Sequence, residues 1–149
     1  MGRENSLTVP GRYSEIQRLC AFVSKGARQA GFSEDSIFQI ELACDEACTN
    51  IIEHTYGGEA KGEITVRWQV KKRVFVISIE DNGKRFDAGQ IPPPPMPPEP
   101  PTPGNEFEIQ VGGLGVFFMR ELMDEVHFSY QAGKGNVLTM EKQLPEKAQ

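Results

Sequence analysis

The sequence contains no run of about 18 apolar residues, so nothing in it reads as a membrane span. Its opening, MGRENSLTVPGRYSEIQ, has no apolar core of the kind a secretory leader carries. A basic block is missing too: sixteen Lys and Arg are outnumbered by twenty-one Asp and Glu, for a formal charge of -5. That balance argues against a direct nucleic-acid surface and against an anionic-membrane surface. Cysteine is scarce. Cys20, Cys44 and Cys48 cannot all pair with one another, and the i, i+4 pair lacks a second ligand pair at zinc-site spacing. Buried, reduced thiols in a cytoplasmic protein are expected.

What is present fits one domain over residues 1–149, long enough to bury roughly two-thirds of its unfolded surface. A short strand, NSLTV, ends at Pro10. SEIQRLCAFVSKGARQAG follows with Ile16, Leu19, Cys20, Phe22 and Val23 at helical spacing, and stops at Gly31. Ser33, with Glu34 and Asp35 behind it, is a helix N-cap with acids in the first turn, and this second helix runs to about His54. Alternating apolar residues over 63–70 and 74–81 predict an antiparallel hairpin, and DEVHFSYQ and NVLTMEKQ predict another. Before the second hairpin, GGLGVFFMRELMDEV reads as a glycine-rich turn feeding a third helix over 114–123.

Nine of the eleven prolines fall within 92–103, inside the long connection 82–111, and no helix or central strand tolerates that density. A connection this long in a compact domain suggests a functional lid. Its PPPPMPPEPP run also has the spacing of a polyproline ligand, which is the rival reading.

Three segments carry candidate chemistry. On a helical wheel Ile40, Ala43, Cys44, Ala47 and Ile51 form a buried stripe, with Gln39, Glu46, Asn50 and Glu53 in a sector beside it. Such residues are either a solvated flank or the polar border of a site, and the small Ala43 and Ala47 leave room for an approach. The hairpin ends in IEDNGKRFD, a common turn signal in which Asp81 can accept from an exocyclic amine and Gly83 leaves space for a flat ring. GGLGV lies at a helix N-terminus, where unpaired amides and the dipole favour phosphate. The phosphate loop G-x-x-x-x-G-K-[ST] and the dinucleotide G-x-G-x-x-G are both absent, so any nucleotide site belongs to another architecture.

In order, E-x-x-x-N on a helix, D-x-G after a strand, a long lid and G-x-G opening a helix resemble the GHKL ATPase superfamily. DEACTNIIEHTY and GGLGVFFMRELMDEV look like its serine-protein kinases that act as bacterial anti-sigma factors. The resemblance implies an α/β two-layer sandwich, a mixed and mainly antiparallel sheet with three helices on one face. It implies Mg-ATP as the ligand, with Asn50 on Mg²⁺, Glu46 as general base, and Asp81 and Gly83 at the adenine. It further implies that Gly113, Leu114, Gly115 and Val116 close backbone amides over the phosphates, and that Thr139 supports the contact of Asp81 with adenine. A sigma factor and a STAS-type anti-anti-sigma protein are the implied partners, and a homodimer the implied assembly. Two rivals remain: an ATP-loaded switch without phosphate transfer, and the ATPase domain of a histidine kinase, for which the chain shows no phosphoacceptor hairpin. One departure from the pattern is Arg85, where the superfamily usually has a second glycine.

Overall fold

A computed structural model describes residues 5–86 and 113–146 of the chain. The proline-rich connection expected to form the lid lies outside the described residues beyond Phe86.

The chain begins with strand β1, Asn5–Pro10, and helix α1, Tyr13–Ala30, which ends where Gly31 takes φ 104° and donates its N–H to the carbonyl of Arg28. Helix α2, Glu34–Asn50, starts as expected: Ser33 Oγ accepts the Ser36 N–H at 3.2 Å, and Glu34 and Asp35 face the positive end of the dipole. The helical path continues past Asn50, but as a single π-helical turn, Ile51–Thr55, closed by the Tyr56 N–H on the carbonyl of Ile51 at 2.8 Å. Hairpin β2, Glu63–Lys71, and β3, Val74–Asp81, comes next. Helix α3, Gly113–Leu122, leads into β4, Glu125–Gln131, and β5, Gly135–Gln143.

The strands form one sheet in the order β1-β2-β3-β5-β4. The expected two-layer α/β arrangement with three helices is present, but the sheet is not mixed: all four pairings are antiparallel. Connection geometry explains this. Two helices between β1 and β2 return the chain in the opposite sense. The crossover from β3 through α3 makes β4 parallel to β3, but β5 turns back and slots between them.

Alternation then assigns the two faces. Phe75, Ile77 and Ile79 of β3 and Leu138 and Met140 of β5 are buried with Ile40, Ala43, Cys44, Ala47 and Ile51 of α2 and its π turn. The three cysteines are free and buried, as expected, and burial pushes the Cys20 thiol up to about 12. The other face is polar, with Arg67 Nε on Glu80 Oε2 at 3.0 Å. At one end of the inward rows the apolar pattern breaks: Asp81 and Asn136 are opposed across β3 and β5, and both are buried.

Candidate functional site

Asp81 closes β3 on the helix side of the sheet, where Oδ1 accepts the Gly83 N–H at 2.8 Å and Asn136 Nδ2 at 2.9 Å. Burial raises its pKa, against the lowering effect of those two donors. Asn136 does more than orient Asp81. Its Nδ2 also donates to the carbonyl of Lys84 at 2.9 Å, and its Oδ1 accepts the Phe86 N–H at 2.8 Å. One amide therefore pins the loop after β3 at three points. Tyr56 pins it from the other side, accepting the Asn82 N–H at 3.0 Å and donating to the Glu63 carbonyl at 2.5 Å.

The far wall is α2. Its last turn presents Glu46 and Asn50 one turn apart, and Gly115, in the first turn of α3, sits directly on them. A Cβ at Gly115 would lie 3.1 Å from Glu46 Oε2 and 3.2 Å from Asn50 Nδ2, so only glycine lets α3 approach this closely. Glu46 is half-buried, and its pKa is raised first by that burial and then by the Asp45 and Glu53 carboxylates. Asn50 is buried, and among the described residues its Nδ2 has no hydrogen-bond partner. Leaving such a group unpaired costs about 1–3 kcal/mol, which a bound polar ligand would recover. A half-turn of the amide exchanges its oxygen and nitrogen, so the position can offer either to a metal or a phosphate.

One cavity joins the two walls. Asn50 and Ile51 line one side, Asp81 and Asn136 the other, and Met119 and Phe128 the remainder. It encloses about 30 Å³, the space of a water and not of a purine, so a bound base has to part this lining. Phe86 stacks on Phe128 with ring centroids 5.0 Å apart and belongs to the same wall.

The sequence-selected residues sort unevenly against this geometry. Glu46, Asn50, Asp81 and Gly115 converge on the cavity or its rim. Gly113, Leu114, Gly115 and Val116 form the first turn of α3, where amides lack intrahelical partners, while the Val116 side chain is buried in the core. At Gly83 a Cβ would strike Thr55 Cγ2 at 2.4 Å, so the loop needs glycine to pack against the π turn. Thr139 is not brought to the site. It pairs with Ser78 and His127 on the outward rows, on the opposite face of the sheet from Asp81, and Asn136 holds the supporting position instead. Arg85, at the second-glycine position, sits over the Tyr130 ring, 5.6 Å from its centroid.

The Asp81 acceptor and the unpaired Asn50 amide line one cavity, and the half-buried Glu46 and the glycine-led start of α3 meet at that amide. The family model for the histidine kinase-like ATPase domain matches residues 9–142, nearly all of the described fold. The chain belongs to the histidine kinase-like ATPase family. Members of this family that it resembles include the serine-protein kinase RsbW of Listeria innocua, 35% identical over 96% of this chain and 92% of that protein. RsbW of Bacillus velezensis is 34% identical over 95% of this chain and 84% of its own length, and RsbW of Bacillus subtilis 30% over 85% and 78%. As a histidine kinase-like ATPase domain the chain binds ATP. No helix among the described residues is long and apolar enough to cross a membrane.

Proposed function

We propose that this chain is a protein-serine kinase and anti-sigma factor: it binds a sigma factor, and it uses Mg-ATP to phosphorylate a serine of a STAS-type anti-anti-sigma protein. The kinase activity is the one named for its relatives RsbW. The observation that carries the reading is the meeting of Glu46 and Asn50 under Gly115, at one end of the cavity that Asp81 closes at the other.

In this reading Asp81 accepts from the adenine amine, and the loop held by Asn136 and Tyr56 keeps that acceptor in place without reorganisation. The first-turn amides of α3 meet phosphate. Asn50 would hold Mg²⁺, whose role when bound is to offset phosphate charge. Glu46 takes the proton of the serine hydroxyl as its oxygen attacks the γ-phosphorus, whose bond to the β–γ bridging oxygen breaks to release ADP. A raised pKa suits a base that has to accept a proton near neutrality. The placement of Glu46 favours transfer over a purely binding switch, because a switch has no use for a carboxylate there. A homodimer completes the reading.

The test is Glu46→Gln. Transfer to the antagonist serine should fall by about 10²-fold or more while ATP still binds. A variant with the wild-type transfer rate removes Glu46 as the base, and a wild-type chain that binds ATP and transfers nothing to any antagonist supports the binding switch instead.

A further inference from the structure

Helix α2 packs between α1 and α3, so it has a second flank, turned away from Glu46 and Asn50. On that flank a groove of about 560 Å³ runs between α1 and α2. Ile16 and Cys20 form its buried floor, and Tyr13, Phe38 and Leu42 stand along it, 45%, 64% and 37% exposed. They are three of the six large apolar side chains left exposed among the described residues, so the groove concentrates them. Its polar wall is acidic. Glu41 and Asp45 line it, and Glu53 accepts from the Tyr13 hydroxyl at 3.1 Å. Among the described residues neither Glu41 nor Asp45 forms an ion pair; Arg28, paired with Glu34, acts on Glu41 only at longer range.

We propose that this groove docks a basic amphipathic helix of a partner protein, seating apolar side chains against Phe38 and Leu42 and Lys or Arg beside Glu41 and Asp45. The shape argues for a helix: a channel between two packed helices accepts a third, whose apolar residues recur at i, i+4 and i+7. From Phe38 to Thr49 the groove is roughly 16 Å long at 1.5 Å per residue, the length of three helical turns. The charge argues for a basic one. A second copy of this chain, pairing through the same face, would set carboxylates against carboxylates, and an anionic membrane would meet the same repulsion. This surface is separate from the nucleotide site and does not depend on phosphate transfer.

The probe is a fluorescein-labelled helical peptide of three to four turns with Leu at i, i+4 and i+7 and Lys on both borders, titrated by anisotropy against the full chain. Two control peptides carry the same residues scrambled or Glu in place of Lys. The Lys peptide should bind at least ten-fold more tightly than either control. Phe38→Ala should weaken it about ten-fold, and the pair Glu41→Gln with Asp45→Asn should do the same while flattening its salt dependence. ATP affinity should be unchanged by Phe38→Ala, which keeps the test distinct from that of the kinase reading. Equal binding of the three peptides, or binding that survives Phe38→Asp and Leu42→Asp, overturns the proposal. So does a wild-type dimer that Phe38→Asp dissociates in sedimentation, which would assign the groove to a second copy.

Discussion

Replacing Asn136 by Ala removes three hydrogen bonds at once: one to the Asp81 carboxylate and two to the backbone of Lys84 and Phe86. A bond to a charged acceptor contributes about 1.5–3 kcal/mol and a neutral one about 1, but the two backbone groups lie near the surface and recover water. A net loss of about 2–3 kcal/mol follows, a fall of roughly 1–2 M in the urea midpoint. ATP affinity should fall by about ten- to a hundred-fold, because the loop carrying the adenine acceptor is no longer held. The pH dependence carries a second signature. Asp81 is already raised by burial, and Asn136 is one of the donors holding it down, so its removal raises the carboxyl further. Binding of an amine donor needs the ionised form, present above that pKa and lost as pH falls through it. The acidic loss of ATP affinity should therefore begin at higher pH in Asn136→Ala than in wild type. Stability runs the other way, since ionising a carboxyl whose folded pKa is raised costs stability, and acidification through it relieves that cost. Thr139→Ala is the control, expected to change stability by less than about 0.5 kcal/mol and ATP affinity not at all. If Thr139→Ala loses ATP and Asn136→Ala keeps it, the assignment of the supporting residue is refuted.

Gly115→Ala should fold as well as wild type, within about 1 kcal/mol, yet lower phosphate transfer about ten-fold or more, because the new methyl displaces Glu46 and Asn50 by a few tenths of an ångström; thermal melts beside single-turnover assays separate the two effects. Asn50→Ala should weaken Mg-ATP more than metal-free ATP, and equal losses in the two titrations would leave Asn50 a structural residue. Asp45→Asn removes a carboxylate that raises Glu46, so the acidic limb of the pH–rate profile should move to lower pH; a limb that stays in place assigns it to another group.

Helix α2 was legible because its stripe of Ile40, Ala43, Cys44 and Ala47 fixes its rotation on the sheet, and that rotation alone puts Glu46 and Asn50 at the border. Asn136 was not. Next to Gly135 it looks like a turn residue, and its role exists only because β5 pairs with β3 in a register that sets it opposite Asp81, 55 residues away. Thr139 lies between Leu138 and Met140, which are both buried, so alternation turns it, with Val137, to the other face. Neither the π turn nor the packing of Gly83 on Thr55 has a local sequence signal, since both arise from where the β3 loop meets the end of α2. The direction of the sheet depends on β5 inserting between β3 and β4, which strand patterns alone do not show.

On α2 the acids Asp45 and Glu46 are neighbours in sequence and face opposite flanks, as do Thr49 and Asn50. The Asp45 carboxylate already raises the Glu46 carboxyl across the helix, so a cation settling beside Asp45 on one flank is felt by Glu46 on the other. Occupancy of the two flanks is thereby thermodynamically linked, and linkage is reciprocal: whatever factor a cation beside Asp45 applies to the affinity for nucleotide, nucleotide applies to the affinity for that cation. No hinge or domain rotation is required, only one rigid helix with a different ligand on each side.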